Sequence, residues 1–176
     1  RDTLSSRGLG DVYKRQDLKS SCRCWFSLLY FGHDEKKIHI LNGGLKKWIF
    51  ENKPTTKDKT EIIESNYVAS EKENLVVSFD QIKKNILSKS FNVIDARSLE
   101  RFEGKVSEPR KGLRSGHIQN SFCLPFNQCI NQKTGEFKNV EELRELFNQN
   151  ENIEKRLDQV FTCGSGVTAA VLAYAY

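Results

Sequence analysis

From Leu18 onward the chain alternates between stretches with apolar residues at helical spacing and short apolar runs bounded by turn residues. Over residues 18–31 the apolar positions Cys22, Trp25, Phe26, Leu28, Leu29 and Phe31 predict a largely buried helix, with Gly32 as its stop. Residues 37–41 (KIHIL) alternate and predict a short strand. Asn42-Gly43-Gly44 predicts a turn, and residues 45–50 a short helix with Trp48 facing inward. Lys, Thr, Glu and Ser then dominate residues 51–74, with Pro54 near the start. This composition predicts a linker, with one apolar dip at Ile62-Ile63 expected to touch a surface.

A second patterned unit begins near Val76. Ser78 is the expected N-cap of a helix over 79–88 that presents Phe79, Ile82, Ile86 and Leu87. Residues 91–94 predict a strand, followed at its carboxyl end by Asp95-Ala96-Arg97. Residues 98–117 are polar, carry Gly104, Pro109, Gly112 and Gly116, and predict a long functional loop. A strand is expected over 121–124, an amphipathic helix over 140–148 with Leu143, Leu146 and Phe147 on one side, a strand over 159–162, a tight turn over 163–166 and a helix from Val167. Strand and helix in alternation predict an α/β fold with a doubly wound parallel sheet. Three regions follow: 17–50 as the end of a first unit, 51–74 as a linker, and 75–176 as a second unit.

Composition narrows the function classes. Apolar residues make up 38% and charged residues 29%, which suits a globular protein. No run approaches the roughly 20 apolar residues of a membrane-spanning helix; the best stretch, 22–31, is short and broken by Arg23. No signal peptide is visible, so a membrane partner is not expected. The five cysteines are irregularly spaced, which predicts a reducing, cytoplasmic setting and no disulfide framework. Cys22 and Cys24 are too close for a usual zinc pair, so no metal or other cofactor is expected. The net charge is +5, but lysines and arginines are scattered among acids, so no nucleic-acid partner is expected. Residues 1–16 lack periodicity, and 6–16 (SRGLGDVYKRQ) look like the translation of a sequencing adapter. They hold four basic and two acidic residues, so the remainder carries +3. The absence of methionine and the uncapped last helix make a piece of a longer protein the expectation. Such a piece would be inactive alone and would leave an apolar face of the helix from Val167 partly in water.

The chemistry-bearing motif is Thr162-Cys163-Gly164-Ser165-Gly166-Val167-Thr168-Ala169-Ala170. A strand running into a cysteine, two glycines and a helix start places a thiol where open α/β sheets bind ligands. The glycines let successive N–H groups converge as an anion cradle, and the helix N-terminus adds partial positive charge. Both would hold the sulfur as thiolate. Residue physics leaves open a structural cysteine ahead of a helix. A cysteine phosphatase would need an arginine six residues on, where Ala169 stands.

The loop Cys163–Thr168 resembles the active loop of the mercaptopyruvate sulfurtransferases of the rhodanese superfamily. Asp95-Ala96-Arg97, Arg101-Phe102-Glu103-Gly104 and Glu108-Pro109-Arg110 resemble the segment with that family's substrate arginines. Gly116-His117-Ile118 resembles its Gly-His-Ile-Pro-Gly stretch, with Gln119-Asn120 replacing Pro-Gly. Leu41–Leu45 with Trp48 resembles the end of its N-terminal domain. The resemblance implies a rhodanese-like fold, with this chain holding the end of the first tandem domain and most of the catalytic second. It implies that Cys163 takes sulfur from 3-mercaptopyruvate as a persulfide and passes it to a thiol acceptor such as thioredoxin, or to cyanide. Ser165 would assist proton handling. Arg101 and Arg110 would hold the carboxylate and keto oxygen, and Gly164, Gly166, Val167 and Thr168 would form the substrate-binding loop. Arg97 is expected to brace the sheet edge and His117 to support the fold. A thiosulfate sulfurtransferase would favour basic residues in the loop, where Gly164 and Ser165 stand. A non-catalytic rhodanese-like binding module is the other alternative, against which the retained Cys163 speaks.

Overall fold

The structure, a computed structural model, describes residues 18–59, 61, 66–149 and 153–176. Residues 1–16 and the Ile62-Ile63 dip lie outside the described residues. The core is a parallel sheet in the order β2-β1-β3, with β1 (Asn92–Asp95), β2 (Ser121–Cys123) and β3 (Gln159–Thr162). Asp95 is in register with Cys123 on one side and Thr162 on the other, so all three strands end level. Cys163 follows β3 directly and therefore opens on the carboxyl edge of the sheet, beside the segment that leaves β1. All four residues of β1 are buried, as a strand covered on both faces requires.

Among the described residues six α-helices accompany the sheet: α1 (Leu18–Tyr30), α2 (Gly44–Phe50), α3 (Phe79–Ser88), α4 (Leu99–Phe102), α5 (Val140–Asn148) and α6 (Val167–Ala175). Both α3 and α5 begin with full capping boxes: Ser78 and Gln81 bond reciprocally, as do Asn139 and Glu142. Each satisfies N–H groups that a helix start leaves free. One face of the sheet packs Ile94, Ala96 and Phe161 against Leu143, Leu146 and Phe147 of α5 and Leu172 of α6.

Several expectations are corrected. Residues 38–41 form no strand with any of the described residues, and Ile38 follows a single 3-10 turn at Glu35–Lys37 as an extended cap. The first strand of the second unit starts and ends one residue later than its apolar run, because Asp95 continues the ladder. The 98–117 loop contains the single turn α4. Most instructive is α3. Phe79 and Leu87 are 79% and 88% exposed, whereas Asn85 is buried between the half-buried Ile82 and Ile86. The Asn85 amide donates to the Phe91 carbonyl at 2.9 Å and accepts from the Phe91 N–H at 3.1 Å. It thereby ties the helix end to the entry of β1, and this polar bridge outranks the apolar count in choosing which face turns inward.

The helix from Val167 was expected to leave an apolar face partly in water, and it does not: Val171 and Leu172 are fully buried, and only its end at Tyr176 is well exposed. The sheet and α5 cover one side. On the other, Leu18 and Cys22 of α1 pack with Ala170 and Val171, joined by Phe26, Phe126 and Tyr174. Trp25 meets Tyr174 edge-on at 5.1 Å between centroids, which fixes α1 across α6. The end of the polar stretch returns to α1: Ser70 N–H donates to Phe31 O at 3.0 Å and Lys72 N–H to Tyr30 O at 2.7 Å.

Candidate active site

Cys163 sits between β3 and α6 with its sulfur turned into the loop. The N–H of Gly166 donates to Sγ at 3.0 Å and that of Ser165 at 3.5 Å. Gly166 is the N-cap of α6 with φ +78°, a conformation that glycine adopts without a Cβ penalty. That turn is what aims the two amides at one atom. Burial would raise the thiol pKa, but the Thr168 hydroxyl and the N–H groups of Ser165, Ala169 and Thr168 hold it below the ordinary range. Three other cysteines go the opposite way: burial pushes Cys24 up, Cys123 up to about 11 and Cys129 up to about 12. Cys163 is also half-exposed, so it combines thiolate character with access, the two requirements of a reactive cysteine.

Beside the loop lies a compact ion network rooted in β1. Asp95, 2% exposed, pairs with Arg97 at 2.6 Å. Arg97 also reaches Glu108 at 2.9 Å and donates to the Gly116 carbonyl at 2.8 Å. Glu108 takes Arg101 on its second oxygen at 2.5 Å. The Arg101 hydrogen bonds, ahead of the opposing effect of burial, hold the Glu108 carboxyl below the usual range. Arg101 in turn lies over the cysteine loop, since a Cβ added to Gly164 would come within 3.0 Å of its Nη2. Arg97 was expected to brace the sheet edge; it braces the end of the central strand instead.

The structure thus brings Cys163, Gly164, Ser165, Gly166, Thr168 and Arg101 together, with Val167 half-buried as the first residue of α6. Ser165 contributes its amide; its hydroxyl has no hydrogen bond among the described residues. Arg110 is exposed on the loop beyond Glu108 and makes no hydrogen bond or ion pair among the described residues. His117 stacks on Phe102 with centroids 3.9 Å apart, and its Nδ1–H donates to the Phe102 carbonyl at 2.8 Å, a fold-supporting role. Two participants went unnoticed in the sequence. Glu108 gave only a generic acidic signal. Arg23, the charge that breaks an apolar helix, lies against Gly166.

No family model matches the chain. It is 35% identical over 158 residues to human 3-mercaptopyruvate sulfurtransferase, covering 90% of this chain and 52% of that protein. It is 37% identical to thiosulfate/3-mercaptopyruvate sulfurtransferase 2 of Arabidopsis thaliana, covering 92% and 52%. Among solved structures it superposes on SseA from Escherichia coli, a 3-mercaptopyruvate sulfotransferase with the rhodanese fold, with a TM-score of 0.76, 30% identity, and coverage of 90% and 57%. The chain has the rhodanese fold and is similar in sequence to these sulfurtransferases. It spans about half the length of the curated relatives it matches. This rhodanese chain is also 35% identical over 153 residues to the thiosulfate sulfurtransferase of Gallus gallus, covering 87% and 51%, so similarity alone does not select a sulfur donor. No helix of the described residues is long and apolar enough to cross a membrane.

Proposed function

We propose that the protein moves sulfur from 3-mercaptopyruvate to a thiol acceptor through a persulfide on Cys163. The observation that carries this reading is the sulfur held by two loop amides and the Thr168 hydroxyl at the start of α6. The thiolate attacks the donor sulfur. The S–S bond forms as the donor C–S bond breaks, and the electron pair goes to the donor methylene carbon as an enolate. That carbon takes a proton, in balance the one carried by the donor thiol, and pyruvate leaves. Ser165, exposed at the loop with a free hydroxyl, suits the relay of that proton. The same amides that receive the thiolate stabilise the persulfide anion, so the overall transfer passes through a covalent intermediate in two easier steps rather than one.

An acceptor thiolate, as in reduced thioredoxin, or cyanide then attacks the outer sulfur, and Cys163 leaves as thiolate. Arg101, held by Glu108 with its Nη2 over Gly164, and Arg110 hold the donor's carboxylate and keto oxygen. Residues 17–50 form the end of a first rhodanese unit, 51–74 a linker and 75–176 the catalytic unit. The irregular spacing of the five cysteines suits a reducing, cytoplasmic setting. The test is pyruvate release by a protein containing this chain. Cys163→Ser is expected to abolish it, and retention of most of the turnover would defeat the reading. A higher kcat/KM for thiosulfate than for mercaptopyruvate would reverse the order of donors.

A further inference from the structure

Two guanidiniums pack against the glycines of the cysteine loop, one at each glycine. Arg101 lies over Gly164, and Arg23 lies against Gly166, where an added Cβ would come within 2.6 Å of Nη1 and 3.5 Å of Cζ. Their charge states of pairing differ. Arg101 shares Glu108 with Arg97, and Arg97 also holds Asp95. Two arginines and two carboxylates make that cluster neutral overall. Arg23 has no carboxylate partner among the described residues and is exposed. It also stands at the N-terminal end of α6, where the helix already presents partial positive charge and where a cation is disfavoured without an anion to share. The position is not a matter of a loose side chain on a loose element. α1 is held across α6 by Leu18 and Cys22 against Ala170 and Val171, and by Trp25 on Tyr174.

We propose that Arg23, delivered from α1, helps hold the anionic group of the sulfur donor at the cysteine loop, in addition to Arg101. Gly166 then has two duties: its N–H meets the Cys163 sulfur, and its bare Cα lets the guanidinium lie close. A donor with a carboxylate a few bonds from its sulfur would place that carboxylate between uncompensated positive charge and the reacting atom. This inference rests on the sulfurtransferase reading, but it concerns the anion site and can be tested without sulfur transfer.

The test compares alkylation of Cys163 in the full chain by iodoacetate, which carries a carboxylate, and by neutral iodoacetamide, at one pH and ionic strength, with the Cys163 peptide followed by mass. Arg23→Gln is expected to lower the iodoacetate-to-iodoacetamide rate ratio at least threefold, a modest figure because the side chain is exposed, while the iodoacetamide rate stays within twofold. Arg23→Lys is expected to restore part of the ratio, and added salt to shrink the difference between native and Arg23→Gln chains. In steady state with mercaptopyruvate, Arg23→Gln is expected to raise KM more than it lowers kcat. An unchanged ratio in Arg23→Gln overturns the proposal, as does a fall of both rates in parallel, which would mark a purely structural contact. A ratio that falls in a protein that does not turn over mercaptopyruvate leaves Arg23 as the anion site and defeats the donor assignment instead.

Discussion

Glu108 holds Arg101 through two hydrogen bonds, at 3.2 Å from Nε and 2.5 Å from Nη2, and so fixes the guanidinium that overlies Gly164 of the cysteine loop. The Glu108 side chain is 5% exposed and bridges to Arg97 as well. A carboxylate so placed does for Arg101 what packing does for an apolar side chain: it removes rotamer choices before a ligand arrives. Glu108→Gln removes the charge and leaves two guanidiniums without their shared counter-ion. The expected cost is on the order of 1.5–3 kcal/mol in stability, seen as a lower urea midpoint at constant slope, with a raised KM for the donor.

The same carboxylate makes stability depend on acid. Its folded pKa lies below the unfolded value of about 4.3. The contribution is therefore complete above the unfolded pKa and is lost as pH falls through the folded one. Urea midpoints measured between pH 7 and pH 3 are expected to fall for the native chain and to fall less steeply for Glu108→Gln. Parallel curves would show that Glu108 is not a source of the acid sensitivity.

Thr168 acts on the thiol directly. Its hydroxyl is the largest of the influences that lower the Cys163 pKa against burial. Thr168→Val keeps the shape and removes the donor, so the thiolate fraction at neutral pH should drop. Alkylation by iodoacetamide at pH 7 is expected to slow roughly tenfold, the equivalent of one charge-assisted hydrogen bond, and to recover as pH rises. Arg101, Glu108 and Arg23 are the charged groups flanking the loop, and none is altered by this change.

The two loop glycines should respond differently to alanine. At Gly166 the φ of +78° strains any side chain, and the new Cβ would meet Arg23 at 2.6 Å. Gly166→Ala is expected to cost about 1–2 kcal/mol and to disturb the amide that reaches Cys163. Gly164 has no left-handed φ, and its obstacle at 3.0 Å is only the tip of Arg101. Gly164→Ala is expected to leave thermal stability nearly unchanged and to weaken donor binding by displacing that guanidinium. Equal Tm losses in the two variants would contradict this assignment of strain.

A last pair checks the orientation of α3. Asn85→Leu leaves both the N–H and the carbonyl of Phe91 without the partners they have now, at an expected cost of about 1–3 kcal/mol. Leu87→Ala removes a side chain that is 88% exposed and should stay within about 0.5 kcal/mol of the native chain. The reverse order would restore the apolar face expected from the periodicity.

These contrasts separate what the sequence determines by itself from what tertiary structure decides. Local signals are short-range physics, and they were legible. Ser78 starts a helix where its side chain can cap. The run 159–162 into Cys163 and two glycines specifies a strand, a thiol and an anion cradle within eight residues, and it is one of the four motifs that carry the family resemblance. Questions of which face turns inward and which distant charges meet were not legible, because they depend on partners far away in the chain. Asn85 is buried because Phe91 needs its amide. Residues 38–41 remain outside the sheet because no strand among the described residues pairs with them. Arg110 and Arg23 show the same limit at the site. Both are single arginines in sequence, but packing of α1 across α6 carries Arg23 to Gly166, 143 positions further along the chain, while Arg110 stands exposed on its loop. Charge type is written in the residue; which charge faces the reacting sulfur is a property of how helices stack.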